Sequence, residues 1–172
     1  MKSLFLIALV FVVNVGFSAP RPEFALQAKA RATATDFFRA GNVAAAIAQL
    51  TATVRAEVTP NLRDVALLES VAEVAAECYN RRELALGRSV ANEAFVRAAP
   101  LFANNNPATR SQRANLASTL GLLKDELFHD WAGAESYYAA ALSLDEGNKT
   151  ATARQQALRE RQKAKNGPAG AK

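Results

Sequence analysis

Apolar side chains recur along most of this chain at steps of three and four residues, as in the run Ile47, Leu50 and Val54. This spacing places them on one side of an α-helix. Glycine, asparagine and charged residues interrupt the pattern near residues 41, 81 and 129. The pattern predicts no strand, and it predicts seven helices over residues 23–40, 43–58, 62–79, 83–99, 107–128, 131–144 and 149–165.

Three of the predicted connections are only a few residues long, near residues 41, 81 and 129. Two helices joined by so short a link must run antiparallel and pack on each other. The first six helices therefore pair as three hairpins, and the seventh follows them. The predicted fold class is all-α.

A row of small residues recurs in each predicted hairpin, one in the first helix and two in the second. The members are Ala34, Ala46 and Thr53 in the first hairpin, Ala75, Gly87 and Ala94 in the second, and Gly121, Ala134 and Ala141 in the third. Two helices cross closely only where the side chains between them are small. The row therefore predicts the crossing point of each hairpin and marks an internal repeat.

The third hairpin resembles the tetratricopeptide repeat family in Leu120-Gly121, in the segment from Asp130 to Tyr138 and in Ala141-Leu142. The first hairpin resembles it in Ala34, Gly41-Asn42 and Ala46, and the likeness covers residues 27–148. The repeats are longer than the roughly 34 residues of that family. The resemblance implies a right-handed stack of antiparallel helical hairpins, a tetratricopeptide-like α-solenoid. It also implies a concave groove, lined by the first helix of each hairpin, that binds a peptide or helix of a partner.

Positions counted from the small residue of each first helix give the side chains that this resemblance places in the groove. They are Arg31, Thr35, Phe38, Arg39, Tyr79, Asn80, Leu122 and Asp125. Phe38 and Tyr79 would supply the aromatic contacts that dominate many binding interfaces. The alternative for these two side chains is that they only pack between neighbouring hairpins.

The N-terminal segment carries Lys2 and then an almost wholly apolar run from Leu4 to Phe17. This composition is typical of a secretory signal peptide over residues 1–18, cleaved near Ser18 and followed by an entry segment over residues 19–26. A spanning helix needs roughly 20 apolar residues, and this run is shorter and contains Asn14. We therefore expect an exported protein, periplasmic or secreted, without a stable membrane anchor.

Basic residues concentrate at the C-terminal end of the chain, whose net charge is +5. Residues 149–172 hold seven Lys or Arg residues and one Glu. The seventh helix (149–165) is predicted to cap the stack through an inner stripe of Ala153, Ala157 and Leu158, ahead of a disordered tail over residues 166–172. Alternatively, its cations bind an anionic surface; they are Arg154, Arg159, Arg161, Lys163 and Lys165. Because no aromatic residues are interleaved with them, nucleic acid is not an expected partner.

Groups able to carry catalysis are sparse in this sequence. Cys78 is the one cysteine and is expected to be a small buried apolar residue. His129 is the one histidine, so a di-iron site built from two Glu-x-x-His pairs cannot form with Glu126. We predict no enzyme activity, catalytic residue, metal, cofactor or small-molecule ligand. The leading hypothesis is an exported protein-interaction module or scaffold, and the alternative is a purely structural or self-associating helical protein.

Overall fold

The computed structural model describes residues 22–57, 62–102 and 110–166, and within these ranges the chain is all-helical, without a strand. Seven helices occupy them. They are α1 (Pro22–Arg39), α2 (Val43–Glu57), α3 (Arg63–Asn80), α4 (Leu84–Phe102), α5 (Arg110–Phe128), α6 (Trp131–Leu144) and α7 (Lys149–Asn166). The predicted fold class is therefore confirmed. The predicted signal peptide, its cleavage near Ser18 and tail residues 167–172 lie outside the described residues.

The observed helix ends lie within one residue of the predicted ones, except at the end of α4 and at the start of α5, before which residues 103–109 lie outside the described ranges. Two of the ends that differ involve proline. The first helix begins at Pro22, so the last five residues of the predicted entry segment are helical. Proline suits the first helical position because its missing N–H would have no partner there. The fourth helix continues through Pro100 to Phe102, three residues beyond its predicted end. Pro100 lies in its last turn and lacks the N–H that would bond to the carbonyl oxygen four residues earlier. The helix is retained there despite this loss, and the nearby Ala98 is fully buried.

Helices that follow each other in sequence pack together as three pairs: α1 with α2, α3 with α4, and α5 with α6. The next helix after each pair contacts both members of that pair. Thus α3 contacts α1 and α2, α5 contacts α3 and α4, and α7 contacts α5 and α6. As a consequence α1, α3, α5 and α7 lie side by side, and the last helix takes the place that the first helix of a fourth hairpin would take.

The predicted crossing points are confirmed by burial and by close backbone approach. Eight of the nine small residues are buried, and Thr53 is half-buried. A Cβ atom built on Gly87 would lie 3.3 Å from the carbonyl oxygen of Ala75, its predicted counterpart across the second hairpin. A Cβ atom on Gly121 would lie 3.2 Å from the carbonyl oxygen of Ala134 in the third. The backbones of these helices therefore approach each other where the sequence repeat places its small residues.

The seventh helix is attached through a stripe of residues that differs in part from the predicted one: Leu158 is buried as predicted, and the two predicted alanines are not. Ala151 is fully buried with Ala117 of α5 and Ala141 of α6, and Leu158 is fully buried one heptad later. The predicted Ala153 and Ala157 are exposed instead. The sequence offered alanines on several sides of this helix, so that composition alone did not identify the buried side.

Each hairpin turn contains one residue in the left-handed backbone region. These residues are Gly41 (φ 76°), Arg82 (φ 64°) and His129 (φ 54°), each following the first helix of its hairpin. At Gly41 and Arg82 the backbone hydrogen bonds are those of a Schellman motif, with Asn42 N–H bonded to Phe37 O and Glu83 N–H to Cys78 O. The single histidine of the chain is thus the residue that ends the first helix of the third hairpin.

Replacing Arg82 with glycine should raise the free energy of unfolding by about 1 kcal/mol, because an L-residue with a side chain is strained in the left-handed region. Thermal unfolding monitored by circular dichroism would measure the change. The neighbouring Arg81 has φ −82° and is the matched control, since glycine there only adds freedom to the unfolded chain. Stabilisation by both substitutions, or by neither, would contradict this account of the turn.

Candidate functional site

The surface shared by α1, α3 and α5, here called the first-helix face, carries five of the predicted groove residues in accessible positions. Arg39, Tyr79 and Asn80 are exposed, whereas Arg31 and Leu122 are half-buried. Tyr79 is the one aromatic among them, with about a third of its surface in solvent. These five side chains come from three different hairpins.

The other three predicted groove residues, Thr35, Phe38 and Asp125, are buried and do not line an open surface. Phe38 is only 6 % exposed and belongs to the main core, so the packing alternative holds for this ring. The Thr35 hydroxyl donates a hydrogen bond to the Arg31 carbonyl oxygen one turn earlier (2.8 Å). Burial of these positions follows from the close contact of each first helix with its neighbour, which covers positions that a looser stack would leave open.

Ion pairs join α1 to the second hairpin. The guanidinium of Arg31 lies 2.9 Å from a carboxylate oxygen of Glu73 and 3.2 Å from one of Glu77, both on α3. Nearer the hairpin turns, Arg39 contacts both carboxylate oxygens of Glu83, at 3.0 and 3.2 Å. Two arginines predicted to meet a partner protein thus already hold neighbouring hairpins together.

Tyr79 joins α3 to α5 through its hydroxyl, which donates to a carboxylate oxygen of Glu126 at 3.4 Å. Burial raises the pKa of the phenol, and the nearby Glu126 carboxylate raises it further. The phenol hydroxyl therefore keeps its proton at neutral pH. The partly exposed ring lies beside a carboxylate, a combination that suits contact with an apolar or cationic group of a ligand.

The predicted groove residue Asp125 and the predicted anionic contact Arg161 bind each other. Asp125 is 1 % exposed, and one of its carboxylate oxygens accepts a hydrogen bond from the guanidinium of Arg161 on α7. The same guanidinium lies 3.9 Å from Glu126. The other carboxylate oxygen of Asp125 and the hydroxyl of the fully buried Tyr138 have no hydrogen-bond partner in the structure. Two residues that the sequence assigned to separate sites therefore form a single internal contact.

Two more cations of α7 also face the protein. Arg159 lies 3.2 Å from Glu135 of α6, and the ammonium of Lys165 lies 4.8 Å from the ring centroid of Trp131. Arg154 is half-buried and Lys163 is exposed. Much of the positive charge of this helix is therefore directed at the preceding hairpin.

A cavity of about 140 Å³ lies between α1, α2 and α3. Its wall includes apolar side chains of Ala30, Leu50 and Val54 and the carboxyl groups of Glu69 and Glu73. Burial, helped by the charge of Glu73, raises the pKa of the Glu69 carboxyl to about 7. The sequence pattern did not predict this site, although the acidic residues four apart along α3, at 69, 73 and 77, indicate that one side of the helix is acidic.

Catalytic groups are few in the part of the chain that the structure describes. The predicted burial of Cys78 is confirmed, and burial raises the pKa of its thiol, which disfavours the reactive thiolate. No group of three or more His, Cys, Asp or Glu residues in the described ranges could hold a metal ion. Asn148, which begins a glycosylation sequon, is 6 % exposed; its amide donates to Asn115 and its oxygen caps α7. That side chain is therefore committed to structure.

The sequence predicts export from its N-terminal segment, and its repeats resemble a known family. Of the helices described, none is long and apolar enough to cross a membrane. The structural repeat rests on the buried small residues and the equivalent turns, features of packing that many sequences can satisfy. Compared with protein-family models, with curated proteins and with solved structures, the chain matches none of them.

Proposed function

We propose that this protein is an exported tetratricopeptide-like interaction module, a right-handed stack of helical hairpins that binds a peptide or helix of a partner protein on its first-helix face. The observation that carries the proposal is the repeated contact pattern, in which each first helix packs on both helices of the preceding hairpin. Repeats stacked in this way place equivalent helices on one continuous surface, and such surfaces bind extended ligands.

The accessible residues of this face favour a ligand that brings an apolar or basic group. Tyr79 offers the exposed aromatic edge, and Leu122 lies half-buried on the next first helix. The same face carries three carboxylates. Arg31 pairs with Glu73 and Glu77, and Arg161 lies near Glu126. An aromatic anchor bordered by charged residues is the composition of many binding hot spots.

The contacts of α7 favour its role as a cap of the stack over a role in binding an anionic surface. Arg159, Arg161 and Lys165 are directed at Glu135, at Asp125 and at the ring of Trp131. Cations already paired within the chain lose part of that interaction when they bind an external anion. A terminal helix with an apolar inner side and a polar outer side also meets the requirement that a repeat stack end in a soluble surface.

Substitution of Tyr79 by aspartate is expected to reduce partner capture at least tenfold, because the change removes the accessible aromatic ring and adds charge beside Glu126. The measurement is affinity capture from the exported fraction of the source cells, with the retained proteins quantified by mass spectrometry. Sequencing the N-terminus of the purified protein in the same preparation tests the expected cleavage near Ser18.

The control for this experiment is Val96→Asp, which changes a 75 % exposed apolar residue on α4, a second helix of a hairpin. Capture should survive that change. Equal loss from both variants would point to aggregation or unfolding and would be checked by circular dichroism. A partner that is retained equally by the Tyr79 variant and by the unaltered protein would refute the first-helix face as the binding surface.

A further inference from the structure

The cavity between α1, α2 and α3 holds a carboxylate that lacks a cation. Among the described residues Arg31 pairs with Glu73 and Glu77, and no ion pair or hydrogen bond reaches the Glu69 carboxylate. We propose that this cavity receives the side chain of a lysine or arginine of the bound peptide, whose charged head pairs with Glu69. This inference rests on the proposed function and adds the chemical class of one side chain of the ligand.

The walls of the cavity suit both parts of such a side chain. Leu50 and Val54 of α2 and Ala30 of α1 provide an apolar surface for the methylene groups, which long cationic side chains bury readily. The polar residues Ser70 and Gln27 also line the cavity. The volume of about 140 Å³ suits one side chain or a few water molecules rather than a cofactor.

The cavity also lies beside the first-helix face. Glu73 lines it and is paired with Arg31, a residue of that face. A peptide that lies along the face near Arg31 therefore lies close to the cavity, within reach of one inserted side chain. This continuity is the reason for assigning the cavity to the same ligand rather than to an independent small molecule.

The electrostatic surroundings of Glu69 favour a cation over a neutral group. Glu73 lies one turn away on the same helix, and the described lining residues of α2 carry no charge. Arg31 faces the cavity from α1, but its charge is paired with Glu73 and Glu77, so among the described residues the charge of Glu69 is left unbalanced. Burial and the charge of Glu73 together raise the pKa of Glu69 to about 7. Both effects penalise the ionised carboxylate, and a cation placed beside it relieves both.

This arrangement predicts how binding depends on pH. A cation binds the ionised form of Glu69, and binding therefore lowers the pKa of this group. In the free protein the carboxyl gains its proton as the pH falls through about 7, and the proton must leave before the cation can pair. Affinity should thus be nearly constant above pH 8 and about tenfold weaker at pH 6, since a proton with pKa 7 competes by roughly that factor.

The test uses two short alanine-based peptides with blocked ends, one carrying a central arginine and the other a central citrulline, its neutral isostere. Each is titrated into the protein while the backbone amide signals of Ala66 and Ser70 are followed by NMR. We expect saturable shifts with the arginine peptide, much weaker ones with the citrulline peptide, and the loss of affinity between pH 8 and pH 6 described above.

Glu69→Gln keeps the size of the side chain and removes its charge, and it should weaken binding of the arginine peptide at least tenfold and remove the pH dependence. Glu146→Gln, at an exposed carboxyl between α6 and α7, should leave both unchanged. Melting curves establish that both variants fold. Unaltered binding by the Glu69 variant, equal binding of the two peptides, or no binding of the arginine peptide would each overturn the proposal.

These results distinguish failure of the cavity proposal from failure of the proposed function. If partner capture depends on Tyr79 while Glu69→Gln has no effect on the arginine peptide, the first-helix face binds its ligand without a basic side chain in the cavity. If capture is independent of Tyr79 and no peptide shifts any amide of α1, α3 or α5, the proposed function itself has failed.

Discussion

Replacing Arg161 with alanine should lower the free energy of unfolding by about 2–3 kcal/mol, because it leaves the buried carboxylate of Asp125 without its cation. Asp125 has no exposed side-chain surface, and its second oxygen lacks a hydrogen-bond partner already. Arg161 itself is 44 % exposed, so water can partly replace it, which keeps the loss at the lower end of the range for buried pairs. Urea unfolding followed by circular dichroism would measure the change.

Two further variants show whether the buried charge is the cause. Arg159→Ala removes a neighbouring ion pair whose side chains are both more than a third exposed, and it should change stability by less than about 0.5 kcal/mol. Adding Asp125→Asn to Arg161→Ala removes the stranded charge and should restore much of the loss. If the Arg159 and Arg161 variants are equally stable, the contact between α5 and α7 does not depend on this pair.

Gly121→Ala should destabilise the third hairpin by about 2 kcal/mol, although alanine usually favours a helix by about 1 kcal/mol over glycine. The new Cβ atom would stand 2.6 Å from Cε1 of Tyr138 and 2.8 Å from its Cδ1. Tyr138 is fully buried against Leu158 and Ala134, so that its ring has little room to withdraw. Thermal and urea unfolding would both report the change.

Gly87→Ala is the matched substitution in the second hairpin. There the added Cβ atom meets its nearest neighbours at 3.3 and 3.4 Å, distances that small shifts relieve. The variant is expected to be as stable as the original protein or slightly more stable, because the gain in helix propensity offsets the tighter contact. A similar loss at both glycines would show that the two crossings are equally tight and would refute the distinction drawn between them.

Local features of the sequence were sufficient to predict the helices and their pairing. Helix periodicity and short links depend on residues close in sequence, and the small residues at Ala75, Gly87, Gly121 and Ala134 recur because every hairpin faces the same steric limit at its crossing. The fourth helix was predicted to end at residue 99, although it continues through Pro100 to Phe102. This boundary depends on the packing of the last turn, beside which Ala98 is fully buried, and not on the local sequence alone.

The candidate site was predicted less well, since it depends on contacts between distant parts of the chain. Asp125 and Phe38 were assigned to a groove by counting along one helix, but their burial is set by neighbouring helices. The partner of Asp125 is Arg161, 36 residues later, and no local pattern links the two. Glu69 was missed for the same reason, because its cavity is formed by three helices.

The order of packing has a consequence for how the chain acquires its structure. Each helix packs mainly on helices near it in sequence, so that a hairpin can form as soon as both its helices are available, without waiting for the rest of the chain. The Asp125 carboxylate lacks its counter-charge until α7 is available, because that charge is Arg161. A product truncated after residue 148 would keep three hairpins, but the Asp125 carboxylate would have no counter-charge, and Tyr138 and Ala141 would be uncovered. We expect proteases to cleave this product faster than the full chain, because its helices are less firmly packed.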